Sequence, residues 1–220
     1  GPPTTVDFPA SALRARVATA RTVAVKAGEI LLEYAANGVQ EYQKGHVDFV
    51  TDADRASEDY ITAELARAFP EDTIFAEEGG GELSSDGFGW LVDPLDGTTN
   101  FMHGAPHYAV SMGIAFAGVP VGGVVVDPTR GEVFTGVRGE GAFLGEQAIS
   151  VSNRDDLQSA LLATGFPYDR RPRADEMLSR VKRALLNAHG IRRCGAAVAT
   201  LLHSASSAAS SPTTFGARSA

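Results

Sequence analysis

The sequence is short of cysteine, of long apolar runs and of basic charge, and each shortage removes a class of protein. Cys194 is its single cysteine, which excludes an internal disulfide framework and fits a reducing compartment, so a cytoplasmic protein is expected. No apolar run approaches the roughly 18 residues of a membrane span, and the N-terminus has no charged-then-apolar signal pattern. No membrane association is expected. Nineteen Lys and Arg stand against 27 Asp and Glu, a formal net charge of −8. Phosphate backbones and anionic headgroups need a surplus of cations, so the expected partners include no nucleic acid, and a small anion enters only where a cation mediates. Acidic residues are themselves missing from one stretch, since none follows Glu176. From Val198 the chain becomes a Ser/Ala/Thr tract without periodicity, which buries little apolar surface, so 198–220 is expected to be an aberrant, disordered tail.

What is present suffices for one core: 220 residues, 44% of them hydrophobic. Leu13, Val17, Ala20, Ala24, Ala27 and Leu31 recur at helical spacing and predict a long amphipathic helix over 11–34. Thr51 opens a second helix that runs to Phe69 and is stopped by Pro70, with Thr51 and Asp54 at capping-box spacing. Short buried strands are expected at 73–76 and 89–92, and an antiparallel meander at 108–116, 120–126, 132–137 and 141–144. A further strand is expected at 157–163 and a helix at 174–188. This order implies layered α/β structure.

The chemistry concentrates in Trp90-Leu91-Val92-Asp93-Pro94-Leu95-Asp96-Gly97-Thr98-Thr99-Asn100-Phe101. A buried strand carries Asp93 to its end, Pro94 biases Asp93 toward extended backbone, and Asp96-Gly97 forces a tight turn. Two carboxylates then meet at one strand tip. If Gly97, Thr98 and Thr99 begin a helix, their N–H groups form an anion site beside those carboxylates. Carboxylates beside an oxyanion cradle repel a phosphate unless a hard cation lies between them, and oxygen ligands favour Mg2+ or Mn2+ over zinc. A turn role for Asp93 and a capping role for Asp96 are the purely structural alternative. His103 and His107 follow this string without metal-type spacing, so a loop or supporting role is expected of them. Cys194 has no evident partner base and reads as a small buried core residue.

Asp93 to Phe101 resembles the principal signature of the inositol monophosphatase family. Phe75-Ala76-Glu77-Glu78 stands in that family's upstream position, and 48–54, Gly165-Phe166-Pro167-Tyr168 and 190–197 match further blocks in the correct order. The resemblance implies a layered αβαβα sandwich of the inositol monophosphatase or sugar phosphatase type over 11–197. It implies a first Mg2+ held by Glu77, Asp93, the Leu95 carbonyl and Thr98, and a second bridged by Asp93 and bound by Asp96, with two or three ions in all. Asp54 and Thr98 would orient the attacking water, and Gly97 and Thr98 would offer N–H groups to phosphate. Gly195, Ala196 and Ala197 would line the sugar-alcohol side, while Lys44, Asp48 and Glu78 are possible additional residues. The implied reaction is hydrolysis of a small phosphate monoester, foremost myo-inositol 1-phosphate, by a homodimer. Related sugar, histidinol or nucleotide 3'-phosphatases, and an inactive metal-binding remnant, are the alternatives. One departure is clear: the family's later Trp-Asp motif, which supplies another carboxylate, is absent. A truncated or frameshifted C-terminal part, incomplete relative to the family's fold, is therefore expected from about Val198.

Overall fold

The computed structural model describes residues 7–42, 49–76, 85–151, 155–166, 171–198 and 200. Two long helices, α1 (Ala10–Tyr42) and α2 (Phe49–Ala68), precede β1 (Thr73–Ala76) and β2 (Phe88–Asp96). A one-turn helix, α3 (Thr98–Met102), leads to β3 (Ala109–Phe116), β4 (Val119–Asp127), β5 (Glu132–Val137), β6 (Gly141–Leu144) and β7 (Gln147–Ile149). These seven strands form one sheet in sequence order, parallel between β1 and β2 and antiparallel thereafter. A separate two-stranded parallel sheet pairs β8 (Leu161–Ala163) with β9 (Gly190–Arg192), and α4 (Ala174–Asn187) connects them. The class is layered α/β, as the sequence implies.

The predicted helical stripe is the core face of α1: Leu13, Ala20, Ala24, Ala27 and Leu31 are fully buried. On α2 the buried stripe is Ala53, Ser57, Ile61 and Leu65, four residues apart, and it faces the sheet with α1. Arg16 locks this layer to the sheet edge. Its Nε and Nη2 donate to the Asp72 carboxylate at 2.8 and 2.7 Å, and the same carboxylate accepts the Trp90 indole N–H at 2.8 Å. The guanidinium lies 3.9 Å from the Phe88 ring centroid, so the ion pair is roofed by aromatic carbon.

Several boundaries differ from expectation. The first helix continues to Tyr42 beyond its apolar stripe, and α2 begins at Phe49 rather than Thr51. Thr51 therefore sits inside the first turn, and the capping-box reading is corrected. Residues 157–163 are not one strand. Asp156 accepts from the N–H groups of Gln158 and Ser159 at 3.1 Å, which winds Leu157–Ser159 into a 3-10 turn before β8. The strands β7 and β9 have three residues each, too few for an alternation to be visible in sequence.

Candidate active site

The strand carrying Asp93 does not stop at it. Pairing runs Asp93 with Ser111 and then Asp96 with Ala109, so three steps on β2 oppose two on β3 and the strand bulges between the two aspartates. Pro94 supplies the reason, since it has no N–H for the ladder and is tolerated at such a bulge. The bulge is braced from both sides. Ser57, fully buried on α2, donates to the Pro94 carbonyl at 3.1 Å, and the Leu95 N–H donates to Asp93 Oδ1 at 3.2 Å. The expected strand tip with two carboxylates is thus a bulge with one carboxylate at each end.

After Asp96 the chain turns through Gly97, whose φ of 97° is left-handed, and α3 starts at Thr98, so the condition set on the sequence is met with Gly97 as the residue before the helix. No side chain caps this start. The Thr98 hydroxyl instead donates to the Leu95 carbonyl at 3.2 Å. Asp93, the Leu95 carbonyl, Asp96 and Thr98 therefore gather within six residues. Their donor atoms are all oxygen, which suits a hard divalent cation.

A loop from the far end of the chain closes onto this turn. A Cβ on Gly97 would lie 2.9 Å from Ala196 Cβ and 3.1 Å from the His107 carbonyl, so Gly97 is where two segments touch. Asn100 fastens them: its Nδ2 donates to the carbonyls of His107 and Cys194, both at 2.7 Å. Asp96 accepts from the N–H groups of Ala197 and Val198 at 3.0 and 2.8 Å, capping the helical turn that reaches Thr200. A carboxylate has about four acceptor sites, so these two bonds leave Asp96 capacity for a cation.

Behind the loop lies a polar relay. Arg130 Nη1, bonded to Asp127 at 2.6 Å, also contacts His107 Nδ1 at 3.2 Å. Arginine only donates, so Nδ1 accepts and Nε2 carries the proton toward Thr200 Oγ1, 3.2 Å away. The Thr200 hydroxyl in turn donates to the Ala196 carbonyl. His107 thus supports the loop, in keeping with its expected role. Neighbouring Tyr108 is buried beside Asp127, and burial first, then that carboxylate, raises its phenol above the usual range.

These elements enclose a cavity of about 440 Å³. Asp93, Leu95, Asp96, Gly97, Thr98, Gly195, Ala196 and Ala197 line it, so eight predicted site residues, 104 positions apart at the extremes, share one space. Asp54 does not line it; it lies one turn before Ser57 on α2. Glu77, Glu78, Lys44 and Asp48 lie outside the described residues. Among the described residues no group of three His, Cys, Asp or Glu is placed to hold a metal. The parallel register does pair Ala76 with Val92, the residues immediately before Glu77 and Asp93. Cys194 is half-buried rather than a core residue, because its carbonyl, not its thiol, is what the fold uses. Ser57 and Thr200 join the site through long-range contacts that no local pattern announces, and Asn100, Phe166 and Arg193, which stand in the matched blocks, do so through contacts those blocks do not reveal.

The family model for inositol monophosphatases matches residues 13–218. The chain belongs to the inositol monophosphatase family. Among family relatives, the Nus factor SuhB of Xylella fastidiosa is 41% identical over 179 residues, 80% of this chain and 65% of that protein. The Nus factor SuhB of Pseudomonas aeruginosa is 45% identical over 160 residues, 70% of this chain and 59% of that one. The chain thus spans less than two thirds of the length of either relative. The solved inositol monophosphatase of Anabaena (Nostoc) sp. PCC 7120 superposes with a TM-score of 0.77 at 36% identity, covering 87% of this chain and 71% of that one.

Proposed function

We propose that this chain hydrolyses a small phosphate monoester in a Mg2+-dependent reaction, with myo-inositol 1-phosphate the first candidate and Mn2+ an acceptable substitute. The observation that carries this reading is the all-oxygen cluster of Asp93, the Leu95 carbonyl, Asp96 and Thr98 opening into the same cavity as Gly195, Ala196 and Ala197. Glu77, Asp93, the Leu95 carbonyl and Thr98 would hold one ion, and Asp93 with Asp96 a second. When bound, such ions supply charge neutralisation for the phosphoryl oxygens and acidify a nearby water. The protein's own groups do the rest. Backbone N–H groups of Gly97 and Thr98 orient the phosphate, the Thr98 hydroxyl directs the attacking water, and the small residues at 195–197 admit the alcohol close to the backbone; Asp54, which does not line the cavity here, shares the work on the water only by turning its side chain from α2 toward Thr98. A homodimer in the cytoplasm is part of the same proposal.

The relatives' name motivates a second reading, a protein that binds metal and a macromolecular partner without turnover. Those relatives are named as a factor and not for ester hydrolysis. Phosphate release from myo-inositol 1-phosphate, with Mg2+ and with chelator, separates the two. Release that needs Mg2+ and falls at least about a hundredfold in Asp93→Asn supports the enzyme. A chain folded by circular dichroism that releases nothing from a broad monoester panel supports the second reading.

A further inference from the structure

The cavity is lined by two walls of different chemistry. One is the β2 bulge with its carboxylates. The other comes from the C-terminal ends of β8 and β9, which run parallel and so deliver both following segments, Thr164 to Phe166 and Arg193 to Gly195, to the same place. The Thr164 N–H donates to the Arg192 carbonyl at 2.9 Å and holds these segments in register. Arg193 and Phe166 face each other as a result, with the guanidinium carbon 5.9 Å from the ring centroid.

Arg193 is exposed and lines the cavity, and among the described residues no carboxylate pairs with it. It places a cation on a cavity whose other wall carries Asp93 and Asp96. Its planar fork matches a phosphate or carboxylate through two parallel N–H bonds, and the guanidinium stands within cation–π reach of Phe166. We propose that Arg193 is a specificity-determining residue that selects esters bearing a second anionic group, a bisphosphate before a monophosphate. The inference rests on the phosphatase reading of the cavity and, within it, moves the preferred substrate from myo-inositol 1-phosphate to an ester with a second anionic group. The two walls divide the work: the carboxylate wall takes the reacting phosphate together with its cations, and Arg193 takes the other anion directly.

Isothermal titration of the whole chain with Mg2+ tests this, using myo-inositol 1-phosphate and myo-inositol 1,4-bisphosphate as probes for the native protein, Arg193→Gln and Arg193→Lys. The native protein binds the bisphosphate more tightly, and Arg193→Gln collapses the ratio of the two affinities by about ten- to a hundredfold, the range expected for a charge-assisted bidentate contact. Arg193→Lys falls between, because it keeps the charge and loses the fork. Equal affinity for both probes, failure to bind either, or a parallel loss of both in Arg193→Gln overturns the inference. Phosphate release measured on the same samples keeps the two readings apart. An Arg193-dependent preference without turnover sustains this inference and sinks the enzyme; turnover without the preference does the reverse.

Discussion

Gly97 carries more constraint than its size suggests. Its left-handed φ and the 2.9 Å approach that a Cβ would make to Ala196 act together, one through backbone strain and the other through the packing of two distant segments. Gly97→Ala should cost about 2–4 kcal/mol, a fall in melting temperature of roughly 4–16 °C for a chain of this length. Thermal denaturation followed by circular dichroism measures it, and a shift within 1–2 °C, about the noise of such a comparison, contradicts the packing described. Asn100 allows a sharper contrast. Its amide is a double donor to two carbonyls, so Asn100→Ala leaves those acceptors unmet, whereas Asn100→Asp at neutral pH sets a carboxylate against both. Asp should be the worse substitution by about 1–3 kcal/mol. The deficit should shrink in acid, because the introduced carboxyl has a raised folded-state pKa and regains stability as it takes up its proton. Urea unfolding of the two variants at neutral and acidic pH decides it. The sequence flags the Asp-Gly-Thr-Thr-Asn string as chemical, yet what Asn100 does was not legible, because its partners lie 7 and 94 residues away.

At the scale of elements, the β2 bulge and the helix behind it form one unit. Ser57→Ala removes the hydrogen bond that ties α2 to the Pro94 carbonyl and should cost about 0.5–1.5 kcal/mol. Because that carbonyl sits between the two aspartates, the same change should weaken Mg2+ binding, which titration calorimetry reads independently of stability. Unaltered Mg2+ affinity would show that α2 does not position the bulge. The residue that leads into β3 gives a pH test. Tyr108 has a raised folded-state pKa from burial and from Asp127, so its contribution to stability is complete below its unfolded value of about 10 and is lost as pH rises through the higher folded value. Tyr108→Phe should therefore flatten the alkaline loss of stability above about pH 10, monitored by thermal melts across that range. Strand positions were legible wherever alternation ran four residues or more. The bulge was not, since Pro94 predicts an interruption but only the pairing partner Ala109 shows that β2 resumes beyond it.

For the whole molecule, cation binding and stability are coupled. If the oxygen cluster holds Mg2+ in the folded state alone, Mg2+ at a hundred times its dissociation constant should stabilise the chain by about 2.7 kcal/mol, raising the melting temperature by roughly 5–11 °C. Asp93→Asn should abolish most of that shift. An equal shift in both proteins would place the cation elsewhere. The same coupling bears on the Gly195 loop, whose Asp96 cap joins residues about a hundred positions apart: binding at the bulge should protect the amide hydrogens of Ala197 and Val198 from exchange.

Local chemistry in the sequence determined the helical stripe of α1, the glycine turn after Asp96, the start of α3 and the oxygen-rich character of the Asp93 to Thr98 segment. These follow from side-chain periodicity, the fixed φ of proline and the tolerance of glycine, all of which act over a few residues. Only the tertiary structure decided that Asp96 caps the Ala197 turn, that Asn100 joins His107 to Cys194, and that Arg193 meets Phe166 on the cavity wall. Those contacts depend on which strands pair and where distant segments dock, and burial and long-range hydrogen bonding settle that for the chain as a whole.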